Sequence, residues 1–309
     1  MPCEAAGKCG KACLIAIFLL LTARSAVAEP ILIAGVECEL TITPVTSKTL
    51  RVTFTRTGQR IRSDGVLVSR RWAQPALKTT KLDAERTVSL KALRVIVRPS
   101  PLRVNITTSK GQALQQLAID EESGAVTFGL GQGPLFGLGS GGKQFDRRGG
   151  LYEMIPLGGS TNEKPTHGFR LPLPFLLSTD GWGVFVHRPY AARFDLRGNR
   201  GTCRPPHKNK ALPLDLFVMH AEESPDLMRE QANLTGRAVM PPRWALGYFQ
   251  SHRTLSGPEE VTGVAEAFRR RKLPCDGLIY LGTGYCPTGG TQATDRSPST
   301  QGRSTSPPR

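Results

Sequence analysis

Met240-Pro-Pro-Arg-Trp-Ala-Leu-Gly-Tyr-Phe-Gln-Ser-His252 and Leu273-Pro-Cys-Asp-Gly-Leu-Ile-Tyr-Leu-Gly282 frame the part of the chain whose reading decides the fold. Residues 244–249 form a compact apolar run that predicts a strand. Ser256-Gly-Pro-Glu259 has the spacing of a helix-opening capping box, and Val261, Val264, Ala265 and Phe268 then repeat on one helical face. Leu273-Pro274 stops that helix, and residues 277–281 read as a nearly continuous buried strand. Strand, helix, buried strand is a βαβ unit, the building block of parallel sheets and of (β/α) barrels. Barrels carry their chemistry at the C-terminal ends of their strands. That rule nominates Gln250, Ser251 and His252 after the first strand and residues 282–285, ending in Tyr285, after the second.

Upstream, the pattern is different. Leu50-Arg-Val-Thr-Phe-Thr-Arg56, Leu93-Arg-Val-Ile-Val-Arg98 and Leu102-Arg-Val-Asn-Ile-Thr107 alternate apolar with polar residues. Ala125-Val-Thr-Phe128, Gly183-Val-Phe-Val-His187 and Leu214-Asp-Leu-Phe-Val-Met219 continue the series. Alternation of period two predicts half-buried antiparallel strands, hence a β-sandwich from residue 31 to about 220. Asp180-Gly181 reads as the turn of a hairpin. Composition agrees with a mainly β chain: 33 glycines and 24 prolines in 309 residues, with aromatics at 6%. Ser224-Pro225 and Gly236 bracket a short linking helix over 226–235.

The ends carry their own expectations. Lys8 and Lys11 followed by the apolar run 14–21 and by Ala26-Val-Ala28 read as a secretory signal over residues 1–28, too short to span a bilayer. The expected mature protein is secreted or periplasmic, with no membrane attachment once the signal is cleaved. Cys38, Cys203, Cys275 and Cys286 would remain in it; four cysteines allow three pairings, and scattered buried thiols are the simpler reading. Residues 290–309 have no apolar period and read as disordered. The expected domains are therefore 29–236 for the sandwich and 237–289 for the start of the barrel.

Formal net charge is +16. The basic residues are spread along the chain and rarely sit near aromatics, which argues against a nucleic-acid or other polyanionic partner. A basic exported polyanion binder is a third reading, and it predicts steep salt dependence and no sugar preference. Arg269-Arg-Arg-Lys272, the one dense run, closes the second helix, where cations suit the macrodipole. Gly137-Leu-Gly-Ser-Gly-Gly142 matches the dinucleotide fingerprint in letters only. No helix is predicted to open after it, so no nucleotide cofactor is expected. No GxSxG elbow, HExxH pair or phosphate-binding loop is present, the five histidines are scattered, and no metal or other cofactor is expected.

The run Met240-Pro-Pro-Arg-Trp-Ala-Leu-Gly-Tyr-Phe-Gln-Ser251 resembles the first barrel strand of glycoside hydrolase family 31, the α-glucosidase and α-xylosidase group. Leu135-Phe-Gly-Leu-Gly139 and Leu234-Thr-Gly236 resemble that family's sandwich-domain landmarks. The resemblance implies a galactose-mutarotase-like β-sandwich followed by a (β/α)8 barrel of which this chain holds the first βαβ unit. It also implies an α-linked glucoside or xyloside as partner and retaining hydrolysis or transfer by two aspartates; the strand-end rule makes Gln250, His252 and Tyr285 the expected substrate-binding positions. Both catalytic aspartates belong to later barrel strands, so no residue here takes their role and the chain alone is expected to be inactive. Where familiar members read Leu-Asp-Ile-Asp-Tyr at the second strand, this sequence has Leu281-Gly-Thr-Gly-Tyr285. Residues 290–301 can be back-translated so that one added base restores Trp-Asn-Thr-Gly-His-Gly-Ser-Phe-Thr-Phe-Asn-Pro, a family-like continuation. A one-base deletion read out of frame is the expectation drawn from this. The competing reading is a non-catalytic carbohydrate-binding sandwich using Gln144, Asp146, His167 and Trp182.

Overall fold

The computed structural model describes residues 28–62, 64–68, 72–140, 144–155, 171–187, 191–252 and 257–280, with the side chains of 252 and 280 left out. The chain divides into two compact units, one ending at Gly236 and one beginning at Arg237.

The first unit is a sandwich of two large antiparallel sheets. One sheet runs, in spatial order, Leu151–Glu153, Arg193–Asp195, Arg200–Arg204, Val126–Gly129, Ala113–Ile119, Arg103–Thr108, Leu93–Arg98 and Arg86–Ser89. The other runs Leu135–Gly137, Phe175–Ser178, Trp182–His187, Leu214–His220, Thr49–Arg56, Val36–Pro44 and Leu32–Ile33, with Leu77–Thr79 also paired to Val36–Pro44. Their inner faces meet in one core that includes Phe54, Val95, Val104, Leu117, Phe128, Phe194 and Leu216. In the first sheet the expected alternation holds: Leu93–Arg98 reads buried, exposed, buried along its length.

In the second sheet it does not. Trp182–His187 is buried at every position, and Leu214–His220 at all but the last. The reason is a second apolar layer. Phe175, Leu177, Phe185, Phe217 and Met219 face away from the main core and are covered by Leu227 and Leu234 of helix α1 (Ser224–Thr235), with Trp72 and Leu67 against them. These strands are therefore buried on both faces, as central strands between two layers are.

Helix α1 starts at Ser224 itself, after an extended Glu223 that makes no side-chain cap, with Pro225 in its first turn. Gly236 ends it at a positive φ of 86°. The hairpin Phe175–Ser178 with Trp182–His187 turns through Asp180 and Gly181, the latter at φ 85°.

The second unit differs from expectation at its start. Residues 243–246 form a 3₁₀ turn, and the strand is Phe249–His252, parallel to Gly277–Tyr280 with Phe249 opposite Gly277. Pro241-Pro242 leads into that turn, closed by Ala245 N–H donating to Pro242 O at 2.9 Å and Gly247 N–H to Trp244 O at 3.2 Å. An apolar run alone does not separate turn from strand. The ladder begins where Gly277 supplies its partner. Helix α2 (Pro258–Arg270) follows Gly257; Ser256, on which the capping-box expectation rests, lies outside the described residues. Glu259 and Glu260 occupy its first turn and Arg269 and Arg270 its last, each sign favourable to the helix dipole. No described side chain from 237 to 279 is buried.

Candidate functional site

At the strand ends of the second unit, Asp276 ties the two strand starts together. Its N–H donates to Tyr248 O at 2.8 Å and its Oδ2 accepts from Tyr248 N–H at 3.2 Å. Tyr248 stacks on Phe268 of α2, ring centres 5.7 Å apart, and its hydroxyl donates to Gln250 Oε1 at 2.6 Å. Gln250 thus shares the face that α2 covers, and its Nε2 donates to Ser251 O at 3.0 Å. Ser251 falls on the alternate face with Phe249, opposite Ile279, which is 43% exposed. The backbone of His252 pairs with Tyr280 at the C-terminal end of the ladder. Tyr285 lies outside the described residues. The structure thus brings Gln250 and the His252 backbone together on one strand.

The sandwich holds a constellation that sequence reasoning did not assemble. Asp215, fully buried, accepts from Arg51 Nε at 2.7 Å and Nη2 at 2.6 Å, and its Oδ2 lies 2.7 Å from His187 Nδ1. The other ring nitrogen of His187 lies 2.9 Å from Asp64 Oδ2. Register explains the grouping: His187 sits opposite Asp215 in the row next to Phe185, Phe217 and Arg51. The Arg51 guanidinium lies 5.0 Å over the Trp72 ring and 5.2 Å over Phe217. A signal was present in sequence, since Asp215 is the lone carboxylate in an otherwise apolar strand. Strand pairing across distant segments was not.

Asp64 and His187 form a polar corner of a cavity of about 820 Å³ otherwise walled by residues such as Phe136, Leu138, Phe175, Phe185 and Met228. Its size is that of a small-molecule site. Gly137 and Gly139 shape one wall at φ 110° and 92°, with buried Leu138 between them at φ 59°. A Cβ on either glycine would run into the carbonyls of Phe175 or Leu171. These glycines serve close backbone packing, and Arg147 donates to both of their carbonyls, at 2.9 and 3.2 Å.

Residues of the carbohydrate-binding alternative are engaged locally. Asp146 Oδ1 accepts from the N–H groups of Leu135 (2.9 Å) and Arg148 (3.0 Å), Gln144 donates to Arg148 O at 2.7 Å, and Trp182 is buried in the main core. His167 lies outside the described residues. Cys38 and Cys203 are buried free thiols, and burial pushes Cys203 up to about 12. Among the described residues, no three His, Cys, Asp or Glu side chains are grouped to hold a metal ion.

Known proteins share this arrangement. Residues 39–195 match the glycosyl hydrolase 31 N-terminal galactose mutarotase-like domain, and residues 238–294 match the glycosyl hydrolases family 31 TIM-barrel domain. An alpha-xylosidase of Saccharolobus solfataricus is 30% identical over 107 residues, which is 35% of this chain and 14% of that protein. Alpha-glucosidase 2 of Bacillus thermoamyloliquefaciens is 24% identical over 255 residues, 76% of this chain and 31% of that protein. The chain therefore spans less than a third of the length of either relative. The solved Flavobacterium johnsoniae GH31 dextranase complexed with glucose superimposes with a TM-score of 0.64 at 20% identity, covering 78% of this chain and 31% of that one. With the sandwich match covering just over half of its length, followed by the barrel match, this chain belongs to glycoside hydrolase family 31.

Proposed function

We propose that the chain carries the sandwich and the opening of the catalytic barrel of an exported α-glycosidase that acts on α-linked glucosides or xylosides. The observation that carries this reading is the parallel pairing of Phe249–His252 with Gly277–Tyr280 beneath α2, within the region matching the family barrel. Barrel enzymes assemble their sites at such strand ends. Gln250 and His252, on the first of these strands, and Tyr285, which follows the second in sequence, are the sugar-binding positions of this reading, supplying hydrogen bonds to hydroxyl groups. The relatives' names, an alpha-xylosidase and an alpha-glucosidase, support an α-glycoside as substrate.

Retaining cleavage needs two carboxylates flanking the glycosidic bond, one as nucleophile and one as acid and then base. No residue of the 309 takes either role in this reading, so the chain by itself is catalytically silent. Assay of the purified chain on aryl α-glucoside and aryl α-xyloside should release no aryl alcohol. The product of a gene with one base inserted ahead of the Gly290 codon should hydrolyse at least one of them. Turnover by the 309-residue chain, or none by the extended product, would overturn the proposal. Export is tested separately: the mature N-terminus should be Glu29, and a product retaining Met1 inside the cell counts against it.

A further inference from the structure

We propose that a proton shared between His187 and Asp64 acts as a clasp: present, it holds residues 64–68 against the sandwich, and removed, it lets them swing away and open the apolar cavity. The imidazole stands between two carboxylates. Its Nδ1 lies 2.7 Å from Asp215 Oδ2, and its Nε2 lies 2.9 Å from Asp64 Oδ2 and 3.2 Å from Asp64 Oδ1. Ionised carboxylates only accept hydrogen bonds, and a neutral imidazole carries a single N–H. Asp215 is committed as an acceptor, because Arg51 Nε and Nη2 donate to its two oxygens at 2.7 and 2.6 Å. Nδ1 therefore keeps its hydrogen for Asp215. The contact between Nε2 and Asp64 then needs one further proton, whichever of the two atoms holds it. Without that proton, a lone pair faces a carboxylate at hydrogen-bond distance.

The surroundings decide which partner moves. The His187 side chain is 2% exposed and packed beside Phe185 and Phe217, with ring centres 6.1 and 6.5 Å away, so it stays in place. Asp64 is 28% exposed, and its carboxylate reaches water by moving outward. Among the described residues, few other ionisable groups come near. Lys210 and Cys203 border a void of about 40 Å³ that His187 and Asp215 also line, and burial keeps the Cys203 thiol neutral. Helix α1 brings only the uncharged Met228, Gln231 and Thr235 to the larger cavity. Arg51 and Asp215 cancel each other, so loss of the shared proton leaves one net negative charge beside an apolar wall. Residues 64–68 have a further tie at their other end, where Val68 N–H donates to Leu234 O at 2.7 Å and Leu67 packs on the outer apolar layer. Asp64 and Val66 both line the cavity of about 820 Å³, so their displacement widens its mouth. The held state binds one proton more than the released state. Holding is therefore favoured at low pH and lost as pH rises.

The test is amide hydrogen exchange of the full chain at about pH 5 and about pH 8, the span over which histidines ordinarily titrate, corrected for intrinsic rates. Amides 66–68 should lose protection about tenfold or more at the higher pH, the worth of one hydrogen bond to a charged group. Those of Val95 and Val104 in the main core should keep theirs. Asp64→Asn offers Nε2 both a donor and an acceptor, so protection at 66–68 should become the same at both pH values. His187→Gln should do likewise, whereas a merely structural role would lower protection at both pH values and leave the response in place. Should His187→Gln misfold, the partly exposed Asp64→Asn carries the test. His220→Gln alters a ring that contacts Gly181 O at 3.0 Å, outside the clasp, and should keep the wild-type response. Protection at 66–68 that is unchanged with pH in the wild type, or a response that survives Asp64→Asn, overturns the proposal. So does a response abolished by His220→Gln, or an equal loss in the core.

Discussion

Asp215 shows how one side chain organises a face of the sandwich. It accepts two hydrogen bonds from Arg51 and faces His187, all at 2.7 Å or less. Removing the carboxylate leaves the Arg51 guanidinium without its counter-charge, and His187 Nδ1 without its partner, beneath an apolar layer. Asp215→Ala should therefore cost about 3–5 kcal/mol, the range for breaking a buried pair by deleting one partner. Urea unfolding measures this, and a loss under about 1 kcal/mol would show that solvent reaches the site freely. Asp180 acts at the surface: its Oδ2 accepts from the N–H groups of Gln132 (2.7 Å) and Gly133 (2.9 Å), joining that loop to the hairpin turn. The Gly133 N–H, with smaller contributions from the Gln132 N–H, the Ser178 hydroxyl and the Arg148 charge, holds the Asp180 carboxyl below its ordinary range; desolvation, second in size to Gly133, opposes them. A depressed folded value means stability that is complete above the unfolded pKa near 3.9 and is lost as pH falls through the folded one. Asp180→Ala should cost about 1–2 kcal/mol at neutral pH. The gap to wild type should close below about pH 4, and a gap constant down to pH 2 would refute the linkage.

Helix α1 is the element that turns a one-sided sheet into a two-sided one. It has only two buried residues, Leu227 and Leu234, yet these cap Phe185, Phe217 and Met219. Leu234→Ala should destabilise the sandwich by about 2–5 kcal/mol, as leucine truncations in packed cores do. An exposed change on the same helix, Met228→Ala (51% exposed), should stay within about 0.5 kcal/mol. Thermal melts of the two variants make the comparison. Equal effects would mean that α1 is not packed as described.

The two units differ in how they are sustained. The sandwich has two apolar clusters of its own, whereas residues 237–279 bury no described side chain and leave Val239, Met240, Trp244, Leu246 and Leu273 between 48% and 92% exposed. Apolar exposure on that scale marks surface that other chain or a partner covers. A polypeptide ending at Gly236 should keep a single cooperative unfolding transition and be more soluble than the full chain. Calorimetry and sedimentation test this; a truncated protein with no cooperative transition would show that the sandwich depends on the chain beyond Gly236.

Sequence by itself determined the mainly β character, the strands that alternate and the βαβ order, because side-chain periodicity and Gly/Pro punctuation are local properties. It determined the family too, through the run from Met240 to Ser251. Only the tertiary structure decided that Trp182–His187 and Leu214–His220 are covered on both faces, and that Arg51, Asp215, His187 and Asp64 meet. Those outcomes depend on which strands pair and in what register, and on which helix lies over them. Such contacts join residues far apart in the chain, so their free energy is recorded in no local stretch of it.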